Sequence, residues 1–425
     1  MIYDVLIVGG GASGLMAACA LAGSGARVAL LEKQPRVGRK LLSTGNGRCN
    51  FTNLRATAAN YHGSADLARA ALAAWPPERI VETFRGLGVF PRPDAEGRVY
   101  PASNQAAAVL DALRLRADEA GCETICDFAV AELRCRKGLF LARAADGRAI
   151  EARFALVCAG GLAAPKLGAC GDGYRLLEAF GHRITPRRPA LTPLKTPPEA
   201  VRALKGLRVQ GTFRLYVDGV CRSEETGEAL FADTGVSGIA AMQLARPAGE
   251  ALARGRRVAL ECDLWPHGAE QSRQAPEAAL NALSALNALC RALPERPAED
   301  LLTGLVPKRV GQALLKAAGV APLTRPAREL TDAERRAVAA QLRGWRLPVT
   351  GVQGFEQAQV TAGGADGRDF DPATLESRRA SGLFAAGEVL DVDGDCGGFN
   401  LQWAWASALT CAGAILPRLG KERAR

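Results

Sequence analysis

The chain has 425 residues, 48% apolar and 23% charged, a composition that excludes a disordered or fibrous protein. A formal net charge of +10 favours anionic ligands or surfaces without choosing among nucleotides, acidic metabolites and nucleic acids, while aromatics at only 5% argue against base stacking. The 12 cysteines include no C-x-x-C pair and read as reduced, mostly buried thiols; His62, His182 and His267 gather no ligand cluster, so zinc is disfavoured.

In chain order, residues 4–8 predict a buried strand, followed by a glycine turn and a small-residue helix over 12–23. Residues 27–31 predict a second strand ending at Glu32. The near-continuous apolar strands of this βαβ opening suit a parallel sheet covered on both faces. The uncharged run 5–26 is long enough to span a bilayer, but six glycines interrupt it (Gly9, Gly10, Gly11, Gly14, Gly23, Gly25) and no basic start precedes it. The expectation is a soluble cytoplasmic protein without a membrane segment.

Helices are predicted over 77–85 and 103–120, the second N-capped by Ser103. Alternation over 129–136 and 139–143 predicts an antiparallel meander, and 154–159 a further buried strand running into Gly160-Gly161. Composition shifts near Pro186. Stretches such as 208–217 and 257–262 predict a β-rich insertion; the Ala/Leu-rich stretches 276–293, 308–318 and 331–342 predict helices, the last opened by a Thr331/Glu334 capping box. Gly-rich α/β character returns from Gln353. The predicted fold class is α/β: a Rossmann-like domain in two parts, 1–189 and 347–425, split by a β-barrel-like insertion at 190–268 and a helical one at 269–346.

The sharpest chemical signal is Gly9-Gly10-Gly11-Ala12-Ser13-Gly14, a G-x-G-x-x-G between strand and helix with Glu32 closing the next strand. Gly9 permits the tight turn, Gly11 lets backbone approach a pyrophosphate, Gly14 lets helix pack on strand, and Glu32 can accept from a ribose diol. A basic, Gly-rich segment then leaves the second strand: Lys33, Gly38, Arg39, Lys40, Ser43, Gly45, Asn46, Gly47, Cys49 and Asn50 suit phosphate and ribityl oxygens. Near the other end, strand 383–386 runs into Gly387-Glu388, then Asp393 and Gly397-Gly398-Phe399-Asn400-Leu401 at the start of a final helix, whose N-terminus suits the N1/C2=O edge of a reduced flavin. Two distant segments matching opposite ends of FAD, with no second G-x-G-x-x-G, point to non-covalent FAD and no dedicated NAD(P)H domain; NAD(P)H is expected only as a transient electron donor.

Cys49 and Cys396 are weak catalytic candidates, because a thiol near a helix N-terminus can be activated, against a plain packing role. Asp391, Asp393 and Asp395 read as turn formers, with Asp393 a candidate cofactor contact and no metal site. The basic tract 183–214 reads as a solvated face, with an anionic substrate, a nicotinamide phosphate or RNA as its other readings.

The tracts 45–50, 387–394 and 399–404, with Gly160-Gly161, 171–174 and 360–364, make the whole chain resemble the bacterial FAD-dependent oxidoreductases called aminoacetone-oxidase-like or BaiN-like (bile-acid dehydro-reductase) flavoproteins. The resemblance implies a flavin fold with β-barrel-like and helical insertions, and it adds Val130, Ala159 and Gly160 to the FAD contacts. Three positions depart from the family pattern: Ala232-Asp233 replaces a Thr-His pair, Ala169-Cys170 replaces Ser-Thr, and Ala408 follows Ser407 in place of Gly. The expected function is hydride transfer at flavin N5 to or from a small organic substrate, by C=C reduction or amine or alcohol oxidation. The alternative is a flavin protein associated with RNA, as in tRNA modification, or one with a non-catalytic interaction role; nucleic acid is the disfavoured partner.

Overall fold

The computed structural model describes residues 2–266 and 276–423. The chain forms two compact units: Met1–Arg188 with Ala358–Arg425, and Pro189–Gln357.

In the first unit, β1 (Ile2–Val8) runs through helix α1 (Ala12–Ala22) into β2 (Val28–Leu31). Val5, Leu6, Ile7, Ala29 and Leu30 have no exposed surface, as parallel strands covered on both faces require. The seven-stranded sheet runs Glu123–Ile125, β2, β1, Ala149–Val157, Leu139–Ala144, Val130–Arg136, with Leu383–Ala385 also pairing on Ala149–Val157. On its edge away from β1 that long strand serves two neighbours: residues 149–152 pair antiparallel with the meander, and residues 155–157 pair parallel with Leu383–Ala385. The register decides the function. Val8 lies opposite Leu31 and Val157, Val157 opposite Ala385, and Leu31 opposite Ile125. Five parallel strands therefore end at one level, and their exit turns lie side by side.

The helix expected from Ser103 begins instead at Ala106, with Gln105 at its N-cap. Asn104 takes φ 57°, a left-handed conformation that a helix cannot include.

The second unit holds an antiparallel seven-stranded sheet in the order Trp345–Val349, Val258–Asp263, Arg208–Val217, Val220–Ala232, Gly235–Ser237, Leu194–Lys195, Gly351–Val352. Its two edge strands are separated by Thr350 alone, so one short segment supplies both edges and the sheet closes on itself as a barrel. Asp218 and Gly219, at φ 49° and 83°, make the two-residue hairpin turn that joins the longest strands. Leu260 and Cys262 of the barrel share one core with Leu314, Val338 and Leu342 of the helices Lys308–Ala317 and Asp332–Gly344. Barrel and helices are thus one unit rather than two successive insertions. The chain leaves this unit at Gln357, not at 347, because Trp345–Val349 and Gly351–Val352 are strands of the closed sheet. No helix among the described residues is long and apolar enough to cross a membrane.

Candidate functional site

The site is built where the parallel strands end. Gly9, at φ 107°, turns the chain out of β1, and its amide donates to Leu31 O at 2.8 Å. A Cβ at Gly9 would sit 2.5 Å from Cys158 O, and one at Gly14 only 1.9 Å from Gly9 O, so both positions exclude side chains for packing reasons. Gly11 differs: a Cβ there would meet nothing within 4 Å. It opens α1, whose first turn carries neither a side-chain cap nor an acidic residue. Free helical amides beside an open backbone surface fit a pyrophosphate.

Glu32 leaves β2 at the same level. Its Oε2 accepts from Gly10 N and its Oε1 from Gln34 N, both at 2.8 Å, which aims the carboxylate across the turn. Phe128 N donates to Glu32 O at 2.9 Å, which brings the lead-in to Val130 beside it; Val130 itself is buried. Ala159 and Gly160 follow Cys158 past Gly9, with Ala159 Cα 3.0 Å from a Gly9 Cβ and open space beside Gly160. Lys33 Nζ pairs with Asp172 at 3.2 Å and also contacts Cys170, while Arg39 reaches Lys166 O at 3.1 Å and Gln34 Oε1. These two cations therefore tie the second-strand exit to the loop before Asp172.

Gly38 N donates to Gly10 O at 2.8 Å and starts the short helix α2 (Arg39–Ser43), where the Ser43 hydroxyl is taken up by Lys40 O at 2.8 Å. Gly45, Asn46, Gly47 and Cys49 are all left-handed, so the loop up to Asn50 is a tight coil; a Cβ on Gly45 would lie 3.0 Å from Asn50 N. Cys49 lies inside this coil without exposed surface, and burial pushes its thiol up to about 12. Burial likewise pushes Cys396 up to about 11, although the Arg98 guanidinium opposes it. Neither environment activates a thiol, and Cys49 acts as packing.

The C-terminal segment meets the N-terminal one directly. A Cβ on Gly387 would lie 2.7 Å from Ser13 Oγ, so Gly387 sits on the first turn of α1. Lys40 Nζ pairs with Glu388 Oε2 at 2.7 Å, and Glu388 Oε1 accepts from Thr361 N at 2.9 Å. Glu388 is thereby a clasp across the ends of the chain. Asp393 is buried and pairs with His62 in a two-stranded ribbon. Asn53 Nδ2 donates to Gly397 O at 2.9 Å, and a Cβ on Gly398 would lie 2.5 Å from Thr52 O, so the turn before helix Phe399–Arg423 is pressed onto the segment that follows Asn50. Asn400 holds both polar groups of Gly394, each at 2.8 Å, and Phe399 O accepts from Tyr61 OH at 2.9 Å. Leu401 continues the first turn, half-buried.

Three side chains that sequence reasoning left out complete the frame. Thr361 Oγ1 accepts from Leu162 N and Ala163 N at 2.8 and 3.1 Å, Ser407 Oγ accepts from Gly387 N at 2.9 Å, and Gln402 Oε1 accepts from Thr52 Oγ1 at 2.6 Å. Ser407 and Gln402 are polar residues within an otherwise apolar helical run, and that is the signal that could have found them.

The basic tract is not one solvated face. Arg183 pairs with Asp366, Lys205 with Asp233, Arg208 with Glu228, and Arg214 with Glu224 and Glu261, so much of its charge is neutralised locally. Asp233 is therefore an exposed ion-pair partner. His182 is buried on Phe370, and His267 lies outside the described residues. Among the described residues no group of three or more His, Cys, Asp or Glu side chains could hold a metal ion.

A row of strand ends in register, a G-x-G-x-x-G turn and an uncapped helix define a dinucleotide-binding Rossmann protein. A family model described as the HI0933-like protein Rossmann domain matches residues 3–414, and the chain belongs to that family. It is 35% identical over 416 residues to the 3-dehydro-bile acid delta(4,6)-reductase of Clostridium scindens, covering 97% of this chain and 98% of that one. It is 28% identical over 424 residues to the ribosomal RNA dihydrouridine synthase of Escherichia coli, covering 96% and 97%. Among solved structures, the 3-ketosteroid delta1-dehydrogenase from Sterolibacterium denitrificans shares the fold at 14% identity and TM-score 0.51, covering 98% of this chain and all of that chain.

Proposed function

We propose that this protein is an FAD-dependent oxidoreductase that reduces a C=C bond conjugated to a carbonyl group in a small organic substrate. The cofactor cradle carries the reading: strand ends in register put Gly11, Glu32 and Gly160 beside Gly387, and the Lys40–Glu388 pair at 2.7 Å locks the two chain segments together. In this reading, Gly9, Gly11, Ala12, Ser13 and Gly14 receive the pyrophosphate, while Glu32, Lys33 and Val130 surround the adenosine half. Residues 45–50 and 397–401 lie along the flavin half, with the C-terminal helix directing its positive end at developing negative charge. Bound FAD supplies hydride chemistry at N5; the chain supplies placement, charge and exclusion of water.

The substrate class follows from the relatives' names. A delta(4,6)-reductase of a 3-dehydro bile acid acts on C=C bonds conjugated to a 3-oxo group, and a dihydrouridine synthase saturates the C5=C6 bond conjugated to a uracil carbonyl. Both names describe net addition of a hydride and a proton across a C=C bond conjugated to a carbonyl, so conjugate reduction is the chemistry they hold in common. We assign NADH or NADPH as the electron donor that docks transiently.

Purified protein is expected to be yellow, to lose its visible flavin band when bleached anaerobically by NADH or NADPH, and to recover it on adding a 3-oxo-4,6-diene bile acid. Protein that stays colourless after incubation with FAD overturns the reading. A second reading, reduction of uridine in ribosomal RNA, is favoured by the E. coli relative and the net charge of +10. Reoxidation by a uridine-containing RNA but not by the steroid, with salt-dependent RNA retention, selects it.

A further inference from the structure

We propose that His62, held by Asp395, delivers the proton that completes the conjugate reduction; this rests on the reductase reading above. Conjugate reduction needs an acid as well as a hydride source, and neither Cys49 nor Cys396 is an apt donor near neutral pH, both thiols being pushed well up by burial. The chain has three histidines. His182 is buried with its Nε2 on Ser377 Oγ at 2.9 Å, and His267 lies outside the described residues. Among the described residues His62 is the imidazole that reaches solvent, with 39% of its side chain exposed.

Its surroundings are built to orient it. His62 Nε2 is 3.1 Å from Asp395 Oδ1. The other oxygen of Asp395 accepts from Asn60 Nδ2 at 3.0 Å, and the Asp395 amide donates to Asn60 O at 3.0 Å, so the carboxylate is fixed from both sides. The backbone of His62 pairs with Asp393 in the ribbon Tyr61–Gly63 with Val392–Gly394. Asp395 follows Gly394, which Asn400 clasps in the first turn of the C-terminal helix, and precedes Gly397-Gly398. The imidazole is thus tethered to the segment that leads into Gly397-Gly398, which the reading above assigns to the flavin half. The carboxylates nearest it in the ribbon are Asp395 on the ring itself, Asp393 opposite His62 and Asp391 beside Gly63, with Asn60 just before its strand.

With Nε2–H donated to Asp395, Nδ1 is the transferring nitrogen. Bound FAD in its reduced form would supply the hydride; with that hydride on the β carbon and the C=C π pair shifted toward the carbonyl, the substrate is an enolate awaiting a proton. His62 as imidazolium then loses its Nδ1 proton to the α carbon: the N–H bond breaks, the second C–H bond forms, and the N–H electron pair stays on Nδ1. Solvent restores the proton. The substrate gains two electrons and two hydrogens, and the flavin is oxidised by two electrons.

The test has two arms. In ¹⁵N-histidine NMR of the whole protein, the neutral His62 ring is expected as the Nε2–H tautomer, and Asp395→Ala should abolish that preference; an unchanged tautomer in Asp395→Ala, or Nδ1–H in the wild type, overturns the oriented pair. In the second arm the flavin is reduced anaerobically and mixed with a 3-oxo-4,6-diene bile acid or a uridine-containing RNA. His62→Gln should slow reoxidation by at least about 100-fold, with partial rescue of His62→Ala by added imidazole, while reoxidation by ferricyanide stays unchanged. Substrate reoxidation within about twofold of wild type in both variants, with the same pH dependence, overturns proton delivery by His62. A wild-type flavin that neither probe reoxidises overturns the reductase reading itself, and proton delivery with it, even where the NMR arm shows an intact pair.

Discussion

The molecule carries two sheets of seven strands that end differently. In the first unit five parallel strands finish at one level, so Gly9, Glu32, the Cys158–Gly160 turn and Gly387 form a row of turns at the carboxyl edge. In the second unit every pairing is antiparallel and the segment around Thr350 closes the sheet on itself, so successive exits point to opposite ends and no such row exists. Strand direction and register, more than strand number, decide where a fold offers a ligand a set of aligned amides. Perturbations at the carboxyl edge should therefore affect cofactor binding in ways that perturbations of the barrel do not.

The largest effect is expected at Gly14. A Gly14→Val side chain would place Cβ 1.9 Å from Gly9 O, a backbone atom that cannot move without dislodging β1 from its neighbour. The expected cost exceeds about 4 kcal/mol, read as loss of soluble, cooperatively unfolding protein. Gly11→Val separates packing from binding, because nothing lies within 4 Å of its Cβ. Its apoprotein should keep wild-type stability to within about 1 kcal/mol in urea, yet bind FAD at least about 100-fold more weakly, roughly 2.7 kcal/mol. If Gly11→Val instead loses several kcal/mol of stability while its folded form binds FAD as tightly as wild type, the edge is a packing device and the contrast between the two sheets fails.

Thr361 tests the clasp between edge turns. Thr361→Val removes the acceptor for Leu162 N and Ala163 N beside Gly161, leaving two amides without their acceptor at a cost of about 1–3 kcal/mol. Thr361→Ser should restore most of this, since only the hydroxyl is required. Wild-type stability in Thr361→Val with the full loss in Thr361→Ser, measured by denaturant unfolding, would place the contribution in the methyl group instead.

Much of the first unit is readable in the sequence because its signals are local. The glycine spacing from Gly9 to Gly14 sits between two apolar runs, and the alternation at 129–143 marks the meander within one short stretch. What joins the site is not local. Lys40 and Glu388 lie 348 positions apart, and the register of Val157 on Ala385 decides whether they meet; no periodicity records such a pairing. The return to the first unit is hidden for a related reason: 345–352 alternates like any strand, and only its two partners show that it closes the barrel. Ser103 looks like a cap, but the left-handed Asn104 behind it delays the helix, a conformation that Asn permits without announcing it.

A smaller effect is expected from His182 in the first unit. Its ring is buried on Phe370, and desolvation lowers its pKa, with Arg379 assisting and Asp369 opposing. Because the folded pKa is depressed, the unfolded chain takes up the proton first, and stability falls as pH drops below about 6.5 toward the folded value. His182→Gln should remove a slope of at most about 1.4 kcal/mol per pH unit between pH 7 and 5 in urea titrations. A wild-type slope retained in full by the variant assigns it to other groups.

The smallest effect belongs to the barrel, and it is the control for the comparison. Asp233 pairs with Lys205 at 2.6 Å, but the two side chains are 53% and 64% exposed, so water screens the attraction and holding two flexible chains together costs entropy. Asp233→Ala should change unfolding free energy by no more than about 0.5 kcal/mol and leave FAD content untouched. Asp233→His should be equally silent in both measurements, because the ion pair lies in the barrel and the row of strand ends in the first unit. A loss of bound flavin in either variant would show that the barrel helps to hold the cofactor, and the division of labour between the two sheets would have to be redrawn around that contact.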